Sequence, residues 1–141
     1  MSAIKIRKGT FQHVESELYA YHDTKREIER IKIDILHGVG SSDENIGGGK
    51  SNLPGDPTGK KATRLTSDKR LMHLEAITEA VDSVVSRLAD EKRELIRLKY
   101  WTRPQTLTWD GIALQLNVSR RQAINWRDGI VYAIAERTGW K

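Results

Sequence analysis

The stretch at 107–126, L-T-W-D-G-I-A-L-Q-L-N-V-S-R-R-Q-A-I-N-W, decides the fold. Thr108 places a hydroxyl where it can cap a helix whose apolar positions Ile112, Ala113 and Leu116 share one face. Asn117-Val118-Ser119 then makes a tight turn, and Ala113 is the small residue that lets two helices cross closely. Ser119 opens a second helix, with Gln122 three positions on in the spacing of a capping box. Ala123, Trp126 and Ile130 follow at gaps of three and four, so that stripe packs inward. Arg120, Arg121, Ile124, Asn125 and Arg127 lie off it and offer cationic and amide donors at the start of the second helix. This is the layout of a helix-turn-helix, spanning 108–138, whose second helix has the form of a major-groove recognition helix.

Working outward, residues 90–101 carry Leu95, Leu98 and Trp101 on one side, with Asp90 as the expected cap and Pro104 as the break that follows; this helix should support the pair. Before it, Leu71, Leu74, Ile77, Val81, Val84, Val85 and Leu88 form a regular amphipathic stripe. The second helix of the pair should run on through Ile130, Val131, Ile134 and Ala135 and stop at Thr138-Gly139. All four tryptophans, 101, 109, 126 and 140, fall in this last third and read as core of a small helical module. Residues 11–37 form one long helix with Phe11, Val14, Leu18, Tyr21, Ile28 and Ile35 as its stripe, interrupted at Lys25 and ended by Gly38. Ile31, Ile33 and Leu36 widen its apolar surface, for packing either on the chain's own later helices or on a second copy.

Residues 38–66 hold seven glycines with Pro54 and Pro57 and cannot sustain regular structure. The expected division is therefore a helical arm at 1–37, a Gly/Pro-rich loop or linker at 38–66, and a helical DNA-binding domain at 67–141 that folds by itself while the arm mediates association. Gly47-Gly48-Gly49-Lys50-Ser51 is not a phosphate-binding P-loop, because Glu44 stands where that pattern needs glycine and no strand precedes it. Lys50, Lys60, Lys61 and Arg64 can follow a DNA backbone if the segment is ordered on it. The fold class expected overall is all-α, with no strand pattern and no internal repeat.

The chain has 141 residues and a net charge of +5, and its basic excess is local. Residues 102–141 hold six Lys or Arg against three Asp or Glu, whereas seven against six is the balance in both 1–37 and 69–101. A basic reading module suits a polyanionic partner. With no cysteine there is neither disulfide framework nor thiolate chemistry, and His13, His22, His37 and His73 lack ligand spacing, so no metal and no cofactor are expected. No apolar run is long enough for a membrane span and no signal-peptide core is visible, so a cytoplasmic protein without membrane attachment is expected. Carboxylates are spread over solvated faces rather than clustered, so the chain is expected not to be an enzyme.

Two resemblances add to this reading. E-L-I-R-L-K-Y-W at 94–101 and T-L-T-W-D-G-I-A-L-Q-L-N-V-S-R-R at 106–121 resemble the fourth region of bacterial sigma-70 factors. Over most of its length the chain resembles the RinA/ArpU group of bacteriophage late-gene transcriptional regulators. The pieces that carry this are G-T-F-Q-H-V-E-S-E-L-Y-A-Y at 9–21, D-E-N-I-G-G-G-K-S-N-L-P-G-D-P-T at 43–58, L-K-Y-W at 98–101, N-W-R at 125–127 and I-A-E-R-T-G-W at 134–140. The resemblance implies a helical activator that binds double-stranded DNA near a late promoter of a phage or prophage, and host RNA polymerase is a further partner to consider. Arg120, Arg121 and Asn125 would face base edges, with Gln122 a further DNA contact and Ile124 able to meet a thymine methyl, while Ser119, Arg127 and Thr108 would hold phosphates. Two departures from the sigma pattern stand out, Gly111 in place of a capping-box Glu and an apolar Ile124. A homodimer is the expected assembly, and a ring of eight or more subunits would instead indicate a small-terminase-like packaging component.

Overall fold

The structure is a computed structural model and describes residues 6–37 and 68–141. Within them every regular element is an α-helix: α1 (Lys8–Leu36), α2 (Lys69–Ser86), α3 (Asp90–Tyr100), α4 (Trp109–Leu116) and α5 (Arg120–Thr138). The expected all-α class with a long N-terminal helix is what the chain adopts. The Gly/Pro-rich segment, including Lys50, Lys60, Lys61 and Arg64, lies outside the described residues.

The helix ends follow from local chemistry. Asp68 Oδ1 accepts the Leu71 N–H at 2.8 Å and so caps α2. α3 departs from expectation: Ala89 occupies its cap position without a side-chain bond, and Asp90 instead sits in the first turn, bonded to Arg93. A carboxylate there still favours the positive end of the helix dipole. α5 ends on Gly139 at φ 83°, a left-handed conformation that glycine adopts without penalty, and the Gly139 and Trp140 N–H groups close the last carbonyls at 3.2 and 2.9 Å.

The residues group into two compact units. One unit comprises Met1–His22 and Ile77–Lys141, the other Asp23–Ala76. The smaller has a short core of Ile28, Ile31, Ile35 and Leu71, with Leu74 packed beside it. Ion pairs Arg70–Glu27 at 2.7 Å and Lys32–Glu75 at 3.1 Å link its two helical segments. Ile33 and Leu36, counted in the sequence as part of one broad apolar face, are about half exposed there.

In the larger unit the first half of α1 is built into the core of the helix-turn-helix. Val14 and Leu18 are fully buried with Val81, Leu95, Ile96, Ile112, Val131 and Ile134. Polar bonds follow the same path: Trp101 Nε1 donates to the Leu18 carbonyl at 3.0 Å, and the Tyr21 hydroxyl donates to Asp82. The Thr10 hydroxyl donates to the Lys141 carbonyl at 2.8 Å, tying the start of α1 to the last residue. The first half of α1 groups with this unit through packing: Val14, Leu18 and Tyr21 share one core cluster with Ala80 and Val81 of α2 and with buried residues of α3 to α5. All four tryptophans pack against this core while remaining partly exposed, as their clustering suggests.

Candidate nucleic-acid interface

α4 and α5 form the helix-turn-helix, and α3 packs on both. The turn is set by Asn117 at φ 62°, a left-handed position that asparagine tolerates better than most side chains. Its N–H reaches the Leu114 carbonyl at 3.2 Å and the Val118 N–H reaches Ala113 at 3.1 Å, so the end of α4 is closed within three residues of the start of α5. Ala113 and Ala123, both buried, let the two helices approach. Thr108 caps α4, its hydroxyl accepting the Gly111 N–H at 3.1 Å, and Ser119 caps α5, accepting the Gln122 N–H at 3.0 Å. Each hydroxyl keeps its own hydrogen for a further acceptor, such as a phosphate oxygen. Of the capping box, the Ser119 half is present, while the Gln122 side chain is exposed rather than folded back on the cap.

Gly111 has a local explanation. A methyl group built on it would stand 3.2 Å from Leu107 Cδ2, because Leu107 lies over the first turn of α4 on its way into the core. The position that carries Glu in sigma-like first helices is therefore occupied by packing. Gly129 is the opposite case: it sits mid-α5, exposed, with nothing near the place of a Cβ. Gly129→Ala should raise stability by about 0.5 to 1 kcal/mol through helix propensity. Thermal melts check this, and a lower midpoint would show that the space is needed.

The first turns of α5 present Arg120, Arg121, Gln122 and Asn125 to solvent, with Ile124 half-buried between them. Arg120 Nε lies 3.5 Å from Asp110 Oδ1 on α4, an exposed pair of little energetic weight that leaves the outer edge of the guanidinium open. Arg121 has no carboxylate partner among the described residues. These residues and the two caps thus occur together at one end of the motif.

Arg127 does not join them. Its side chain is 17% exposed, and the guanidinium is held by Glu15 at 2.9 Å and Asp128 at 2.7 Å. The Phe11 ring lies 5.0 Å away and the Trp109 ring 5.1 Å. The Tyr100 hydroxyl donates to the same Glu15 oxygen at 2.6 Å. Burial first, and then this carboxylate, push the Tyr100 phenol well above its ordinary range. Arg127, expected in the sequence as a phosphate contact, is thus placed apart from Arg120 and Arg121, and its guanidinium joins α1, α4 and α5. Glu15 carried a readable signal, since it lies four residues after Phe11 and three before Leu18, on the apolar stripe, and a carboxylate there requires a buried partner. Lys99 and Lys92, also not singled out in the sequence, have their ammonium groups over aromatic rings of α4 and α5.

Fold and site together describe a helix-turn-helix protein with an N-terminal helix built into the motif's core. Residues 16–136 match the family model described as "Protein of unknown function (DUF722)", and the chain belongs to that family. No curated protein and no solved structure matches the chain. No helix among the described residues is long and apolar enough to cross a membrane.

Proposed function

We propose that the protein is a sequence-specific DNA-binding transcriptional activator of phage or prophage late genes, with α5 as the recognition helix. The observation that carries this reading is the exposed start of α5, where Arg120, Arg121, Gln122 and Asn125 lie beyond a cap and a tight turn. Arginine forks match the O6 and N7 acceptors of guanine, and the Asn and Gln amides match the N6 and N7 edge of adenine. Ile124, half-buried beside them, would offer its apolar side chain to a thymine methyl. The Thr108 and Ser119 hydroxyls, at the starts of the two helices, suit phosphate oxygens on either side. The late-gene assignment rests on the resemblance to the RinA/ArpU regulators. Two copies on one duplex would supply the phosphate contacts that a single small module lacks.

Arg121→Ala should weaken specific binding by about 1 to 3 kcal/mol for each base pair that the side chain reads, with helix content unchanged. Gel shifts with circular dichroism on the same samples measure this. If the double change at Arg120 and Arg121 bound both its operator and random DNA as the wild type does, the recognition-helix assignment would fail. Footprinting in cells addresses the biological role: occupancy upstream of structural and packaging genes supports the activator, whereas binding without sequence preference removes it.

A further inference from the structure

The cations of α3 are sorted by face. Arg93 and Arg97 are each paired with a carboxylate one turn earlier, Asp90 and Glu94. Lys92 and Lys99 have no carboxylate partner among the described residues, and both ammonium groups are held over aromatic rings instead. Lys92 Nζ lies 5.9 Å from the Trp126 ring of α5. Lys99 Nζ lies 5.3 Å from the Trp109 ring of α4, 5.5 Å from Tyr19 and 5.6 Å from Tyr100, and it donates to the Tyr19 hydroxyl at 2.8 Å. The two lysines are seven residues apart, two helical turns, and so share one side of α3 about 10 Å apart. Leu95 and Ile96, buried between them, belong to the same side. Both lysines are half-buried, as a long aliphatic stem with a charged end allows.

From this arrangement we infer that Lys92 and Lys99 are a pair of DNA-backbone contacts flanking the helix-turn-helix, an inference that rests on the DNA-binding reading above. Internal ion pairing accounts for the arginines of α3 and leaves these two charges uncompensated. The ring faces fix where the ammonium groups sit without neutralising them, so the cation stays available to an anion. One ammonium lies over the ring of Trp109, the first residue of α4 and the one that follows the Thr108 cap, and the other over the ring of Trp126 in the second turn of α5, so each helix of the pair has one cation against it. A lysine is a point charge with rotatable donors, suited to phosphates and carrying no base preference. The pair would thus add affinity and hold register, leaving sequence choice to α5.

The test needs no operator, because phosphate contacts act on any duplex. Binding of a labelled mixed-sequence DNA duplex is titrated against salt for the full-length wild type, for Lys92→Gln with Lys99→Gln, and for Lys92→Arg with Lys99→Arg. Removing two phosphate contacts should reduce the slope of log affinity against log salt by about 1.8, and the arginine pair should restore it. A glutamine pair with the wild-type slope would overturn the inference while leaving the recognition helix standing. So would an arginine pair that fails to restore it, since the lysines would then act through packing. If the glutamine pair melts early, Lys→Met at both positions keeps the apolar stems and gives the same comparison. A wild type that binds no duplex even at low salt would overturn the DNA-binding reading itself, and this inference with it.

Discussion

A fragment of residues 67–141 is expected to show no cooperative melting transition, although it contains every residue of the helix-turn-helix. Without α1 the unit loses Val14 and Leu18, both fully buried, and Tyr21, which is nearly so. It also loses the acceptors of Trp101 Nε1 and of the Tyr100 hydroxyl. Burying a side chain of this size contributes about 1.5 to 3 kcal/mol, so three of them approach the whole stability of a small domain. The single change Leu18→Ala, which leaves the chain intact, should cost about 2 to 5 kcal/mol. Calorimetry on the fragment and on the point variant tests both statements. A fragment that melted as sharply as the full chain would mean that the α1 contacts are dispensable, and would return α1 to the role of a separate arm.

The helix-turn-helix was legible because its signals are local. Two side-chain caps, one left-handed turn residue and one period of three and four sit within twenty positions, and each acts on its own backbone. The four tryptophans were legible as core for a similar reason, their clustering in one segment. Long-range pairing was not legible. The stripe Phe11, Val14, Leu18, Tyr21 announces a buried face, but nothing in the spacing says whether a second copy or residues some eighty positions later cover it. Arg127 shows the same limit at one residue. At four positions after Ala123 and three before Ile130 it falls within the inward stripe, but only the fold shows that Glu15, Phe11 and Trp109 are what meet it there. The carboxylate of Glu15 on an apolar stripe signalled that some cation must meet it; which one required the tertiary structure.

Arg127→Ala should therefore act on stability rather than on DNA contact. The side chain fills the space between the Phe11 and Trp109 rings and bonds Glu15 and Asp128, with both members of the Glu15 pair four-fifths buried. Removing it leaves the Glu15 carboxylate with the Tyr100 hydroxyl alone in a poorly solvated place. Breaking such a pair costs about 3 to 5 kcal/mol when fully buried, and the remaining solvent access here lowers the expectation to about 2 to 4 kcal/mol. Arg127→Lys should recover little of this, because an ammonium cannot bond Glu15 and Asp128 through two edges of one plane. Glu15→Ala should cost less than Arg127→Ala, since Arg127 would keep Asp128, and the double variant should be less damaging than the two single effects added. The salt dependence of DNA binding, measured below the melting range, separates the two roles for this residue. A packing role leaves the slope of Arg127→Ala at the wild-type value, whereas a phosphate contact would lower it by about 0.9 with the melting midpoint unmoved.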